Sequence, residues 1–79
     1  MEIKSKIGQR IKFLREQVSM SQKDLAYIAD LDRSYIASVE SGCRNISIVN
    51  VEKIANALNV PLKEFFNATE FDFTSGSNK

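Results

Sequence analysis

Ile3, Ile7, Ile11, Leu14 and Val18 recur at steps of four and three, which places them on one stripe and predicts a helix over Ile3 to Gln17. Lys4, Arg10 and Lys12 are then expected to point away from the core, with Phe13 half covered beside the stripe. Gly8 inside this helix costs about 1 kcal/mol relative to alanine, and its missing side chain leaves room for a close neighbour.

Between Ser21 and Gly42 the pattern shortens to two helical runs joined by a bend. Ser21 with Asp24 three residues on resembles a capping box and marks the start of a second helix. Leu25, Ile28 and Ala29 form its expected inner face, leaving Gln22, Lys23 and Tyr27 outside or at its edge, and Asp30 falls where the chain must turn. Asp32 is placed to cap a third helix, its carboxylate accepting from the backbone N–H of Ser34 or Tyr35. Ile36, Val39 and Glu40 face inward there, Leu31 plugs the core from the turn, and Arg33, Ser34, Ala37 and Ser38 face out. Gly42 ends the helix, because glycine accepts the left-handed backbone that closes a helical C-terminus. Two short helices sharing one apolar side across a tight bend are the pattern of a helix-turn-helix.

Arg44, Asn45 and Ile46 read as a loop, and Ser47 caps a fourth helix in which Val51, Ile54, Ala55 and Leu58 align. Asn59 and Val60 end it. Pro61 suits the first turn of a fifth helix, where its missing N–H is not needed, with Leu62, Phe65 and Phe66 as the apolar face. The chain thus reads as an all-α, five-helix domain over residues 1–67. Residues 68–79 lack helical periodicity and read as a flexible tail, although Phe71 and Phe73 would also suit packing on the domain or on a second copy.

The composition, with 79 residues of which 43% are hydrophobic and 27% charged, supports one small globular domain with one core. Eleven bases against ten acids give a net charge of +1, which singles out no acidic partner. Residues 1–44 hold eight bases and six acids, net +2, and residues 45–79 hold three and four, net −1. That asymmetry permits nucleic-acid binding without requiring it. Cys43 is the single cysteine, so no intrachain disulfide can form; it reads as an incidental thiol, with a redox switch as the alternative. With no leader pattern and no apolar run near the roughly 18 residues that span a bilayer, a cytoplasmic protein is expected, and no membrane partner.

Catalysis finds little to work with. The chain has no histidine and one cysteine, which removes the usual nucleophile–base pairings and zinc sites. Capping and turn formation account for Asp30 and Asp32, no glycine-rich phosphate loop is present, and neither metal nor cofactor is expected. Double-stranded DNA is the partner the spacing suggests, because the second helix of such a unit lies in the major groove with its first residues at base edges. Arg33 can donate two parallel bonds to guanine O6 and N7, whereas Ser34 can bond several edges. Ala37 and Ser38 are small enough for close approach. Gln22, at a helix start, and Arg44 and Asn45, just past the third helix, suit phosphates.

The run SQKDLAYIADLDRSYIASVESGCRNISIVNVEKIANALNV resembles the helix-turn-helix of the phage-repressor-like (Xre, or Cro/C1-type) regulators, a likeness that extends over residues 7–66. Within it, LDRSYIASVESGCRNIS is most similar to the small controller proteins of restriction-modification systems. The resemblance implies a lambda-repressor-like fold and a homodimer that binds an operator and regulates its own gene and the endonuclease gene. It places Gln22, Arg33, Ser34 and Ser38 at DNA-contacting positions and Tyr35, Arg44 and Asn45 near the DNA backbone. It also pairs Arg15 with Glu40 as a buried ion pair. Two positions depart from the family pattern: Asp30 where glycine is usual in the turn, and Ile46 where proline is common.

A single such domain makes few base contacts, whereas a dimer engages two half-sites about 34 Å apart. Leu62, Phe65 and Phe66 exceed what a short terminal helix needs for its own core, and Ile46, Ile48 and Val49 lie nearby. These six are the candidate dimer surface, with simple core packing as the alternative for each. Operator position relative to the promoter then decides whether RNA polymerase is blocked or recruited, and no small-molecule ligand is expected. A phage-type repressor or an antitoxin would share these features. The competing class is a protein-interaction module that kept the fold and lost DNA binding.

Overall fold

Ile7, Ile11, Leu25, Ile36, Val39, Ile54 and Phe65 all but vanish from the surface and close on a single core. The computed structural model describes residues 3–72. Five helices surround the core: α1 (Ile3–Gln17), α2 (Gln22–Ala29), α3 (Arg33–Glu40), α4 (Ile48–Ala57) and the single turn α5 (Leu62–Phe65). Among the described residues there is no strand. α3 packs against α1 and α2, while α4 packs against α2 and α5.

The helix boundaries follow from identifiable caps. Ser21 and Asp24 form the full capping box: Asp24 N–H donates to Ser21 Oγ at 2.9 Å, and Ser21 N–H to Asp24 Oδ2 at 3.3 Å. Ser47 Oγ accepts from Asn50 N–H at 3.1 Å. At the other ends, four helices close alike, with paired backbone bonds around one left-handed residue. Gly42 (φ 79°) is one, its N–H bonded to Val39 O and that of Cys43 to Ser38 O, both at 3.0 Å. Ser19 (φ 56°), Asp30 (φ 60°) and Asn59 (φ 60°) hold the same place without being glycine. The turn between α2 and α3 therefore forms with aspartate, whose short polar side chain tolerates that conformation.

Gly8 is where α1 meets α3. A Cβ there would collide with the Val39 carbonyl and lie 2.7 Å from the Glu40 carbonyl oxygen, so the two helix backbones touch with nothing between them.

Several side chains lie elsewhere than the pattern predicts. Arg10, expected outside, is only 7% exposed. Its Nε donates to Phe65 O at 2.7 Å and its Nη2 to Glu64 O at 2.8 Å, which satisfies the carbonyls at the end of α5. Ile28, expected inside, is 53% exposed, and Ala26 takes its place beside Leu25 and Ala29. Ile3 and Val18, at the two ends of the stripe, are also exposed. Asp32 occupies the N-cap position of α3 but its carboxylate makes no capping bond. Phe65 has no accessible surface and belongs to the core, so it has nothing to offer a dimer partner. Order also continues past residue 67. Thr69–Phe71 form a 3-10 turn against α1, and the Phe71 ring meets Phe66 edge-on at 5.1 Å. Phe73 lies outside the described residues.

Candidate nucleic-acid interface

Arg33 and Ser34 open α3 on its solvent side, both exposed. What fixes that helix is the inward face of the same eight residues, where Ile36 and Val39 are buried and Glu40 is tied to α1. Arg15 Nε donates to Glu40 Oε2 at 2.7 Å and Nη2 to Oε1 at 2.9 Å, a bidentate pair with side chains 10% and 4% exposed. Arg15 Nη1 also donates to Met20 O at 2.8 Å. The Arg15 pKa is raised, chiefly by its hydrogen bond to Glu40 and in opposition to burial. The buried pair implied by the family likeness is thus present.

Gln22, expected outside or at the edge of α2, is half-buried and donates from Nε2 to Glu40 Oε1 at 3.0 Å. It becomes a third member of the pair and one link between α2 and α3. The structure brings Tyr35, Ser38 and Arg44 together. The Arg44 guanidinium stands 4.9 Å over the Tyr35 ring, and its Nε donates to Ser38 Oγ at 3.2 Å. Ser38 Oγ itself donates to the Tyr35 carbonyl at 2.9 Å, so its one hydrogen is already used. Asn50, in the first turn of α4, donates from Nδ2 to Tyr35 Oη at 3.0 Å. Sequence reasoning passed over Asn50, since a polar residue in a first helical turn carries no signal of what it faces.

Asn45 is exposed and stands apart from that cluster. With Ile3, Ile7, Ile46, Ile48 and Phe66 it lines an apolar groove of about 280 Å³, and Val49 is exposed on the adjoining turn of α4. Leu62 is half-buried against the core. Among the described residues no group of His, Cys, Asp or Glu is arranged to hold a metal, and no helix is long and apolar enough to cross a membrane. Cys43 is exposed and free.

The helix-turn-helix domain family matches residues 8–70 of this chain. The control protein C.MunI of a Mycoplasma species is 44% identical over 70 residues, which are 87% of this chain and 95% of that protein. The chain belongs to the helix-turn-helix family of restriction-modification controller proteins. Control protein C.BamHI of Bacillus amyloliquefaciens is 42% identical over 72 residues, covering 90% of this chain and 83% of that one. In three dimensions the controller C.AhdI of Aeromonas hydrophila superposes with a TM-score of 0.77 at 46% identity, over 80% of this chain and 96% of that one. These controller proteins match over 83–96% of their length, and the family match over residues 8–70 spans α2 to α5 and most of α1.

Proposed function

We propose that this protein is a sequence-specific DNA-binding transcriptional regulator that occupies a (pseudo)palindromic operator as a homodimer, and that it is the controller of a restriction-modification system. Support comes from the related controller C.Esp1396I, solved as a tetramer with its natural 35-base-pair operator; its TM-score against this chain is 0.80 at 39% identity, over 84% of this chain and 87% of that one. The observation that carries the reading is the exposed Arg33–Ser34 start of an α3 locked from behind by Arg15, Gln22 and Glu40.

Arg33 reads guanine through its two-pronged donor set, Ser34 adds a less selective contact, and the Ala37 methyl meets a thymine methyl. Arg44 and Asn45 contact backbone phosphates, which fix register without carrying sequence information. The second copy docks on the groove between the start of α1 and the start of α4, covering Ile46, Ile48, Val49 and Phe66; the half-buried Leu62 joins that interface in the proposal. The protein acts in the cytoplasm by occupancy rather than catalysis, and operator position decides whether RNA polymerase is blocked or recruited.

Arg33→Ala tests the assignment. Loss of one bidentate base contact should cost about 1–3 kcal/mol per half-site and relax discrimination at that base pair. Operator affinity and discrimination unchanged in a mobility-shift titration would refute it and favour a protein-interaction role for the same fold.

A further inference from the structure

The base-reading and phosphate-binding roles above leave Tyr35 and its neighbours unexplained as a unit. Tyr35 is half-buried, and its side chain is held at both faces of its chemistry: Arg44 lies over the ring, and Asn50 reaches the hydroxyl. Asn50 approaches with a donor. A phenol that accepts from an amide still has its own hydrogen to give, so the Tyr35 O–H remains available to an outside acceptor. Arg44 is held in turn by Ser38, whose hydroxyl accepts from Arg44 Nε while donating to the Tyr35 carbonyl. Neither hydroxyl nor guanidinium has to search for its place.

Resting on the DNA-binding reading, we propose that Asn50 is a positioning residue for DNA binding: it presets the Tyr35 hydroxyl as a donor to a DNA phosphate, with Arg44 locked alongside by Ser38. Ser38 then serves as a fixture and not as a base reader. Phosphate is the acceptor because the Arg44 charge stands over the same ring from which the hydroxyl projects. Tyr35 and Asn50 also line an open cleft of about 460 Å³, and Asp30 and Asp32 occupy other parts of its wall. The two carboxylates repel an anion from their part of the cleft, whereas the Arg44 charge over the Tyr35 ring attracts one. Prepaid ordering is what makes such a contact count, since a free side chain would lose rotamer entropy on binding.

A double-mutant cycle on the full chain tests this. Tyr35→Phe removes the hydroxyl but keeps the ring under Arg44; Asn50→Ala frees the hydroxyl, and alanine's higher helix propensity preserves α4. Each single variant should weaken DNA binding by about tenfold, equally on operator and on unrelated duplex, and the double variant should bind no more weakly than Tyr35→Phe alone. Losses that multiply in the double variant, or an Asn50→Ala protein that binds as the parent does, overturn the positioning role. A loss confined to operator DNA overturns the phosphate assignment. Melting temperature separates a structural role: if the Asn50→Ala affinity loss is recovered by cooling below a lowered melting transition, Asn50 holds the fold and not the contact. Arg33→Ala run beside it keeps the two readings distinct, because its effect on operator discrimination does not depend on Asn50.

Discussion

Truncating Glu40 should be among the most damaging single changes in this domain, and the structure supplies the magnitude. Glu40→Ala removes three hydrogen bonds at once, from Arg15 Nε at 2.7 Å, Arg15 Nη2 at 2.9 Å and Gln22 Nε2 at 3.0 Å. Arg15 keeps only its bond to the Met20 carbonyl at 2.8 Å. Its side chain is 10% exposed, so water replaces the lost carboxylate poorly. Stranding one partner of a buried pair costs roughly 3–5 kcal/mol. A domain of this size is stable by about 4–12 kcal/mol in total. Urea unfolding followed by helical circular dichroism should therefore move its midpoint down by roughly 3–5 M at a slope near 1 kcal/mol per molar, or find the variant unfolded from the start. The companion Arg15→Met/Glu40→Leu removes both charges, fills the space with apolar atoms and should regain most of the loss. A Glu40→Ala penalty below about 1 kcal/mol, the range of exposed pairs, would refute the reasoning by showing that water reaches the site. So would a double variant no better than the single one. Arginine's contribution holds across the ordinary pH range: its folded pKa is raised by the Glu40 hydrogen bond, so the contribution is complete below the unfolded value and is lost only as pH climbs through the folded one.

Gly8→Ala should destabilise by about 1–3 kcal/mol despite alanine's better helix propensity, because the carbonyls of Val39 and Glu40 occupy the space; a raised melting temperature would sink this. Asp30→Gly should stabilise by about 0.5–1 kcal/mol in urea titration, since φ is 60° there and glycine bears no penalty for it. Phe66→Glu should yield a folded monomer in sedimentation velocity, with helical content intact; a persisting dimer would remove the groove beside α1 and α4 from the interface.

Most of the framework was legible because each helix announces its ends. Ser21, Ser47, Gly42 and Asn59 stop or start elements where side-chain chemistry requires it, and all five helices lie within a residue or two of their expected places. Two of the misplaced side chains, Arg10 and Ile28, share one cause. Periodicity locates a helix's apolar stripe but not the width of the face its neighbours cover. Arg10 sits three residues after Ile7 and four before Leu14, on the flank of the buried arc, where a guanidinium is tolerated because α5 ends above it. Ile28 lies on the opposite flank of α2 from Ala26, and alanine's small size hid which side α3 and α4 would choose. Asp32 was credited with a capping bond from residue type alone, and residue type does not set the side-chain rotamer. At the candidate site, Arg33 and Ser34 followed from helical facing. The Tyr35–Asn50–Arg44–Ser38 cluster did not, because it joins three segments whose approach is decided by the core.

The contact at Gly8 bears on how discrimination between operators is divided between the two molecules. With backbone resting on backbone and Arg15, Gln22 and Glu40 fastened across the crossing, α3 is held against sliding or rolling on α1. A reader that does not yield transfers the work of fitting to the duplex. If α3 reads DNA as proposed, a mismatch between the α3 helices of two copies and straight B-form DNA is met by bending or groove compression, whose cost depends on the steps being deformed. On that reading, base pairs that no side chain touches, between the half-sites, add to selectivity through their stiffness.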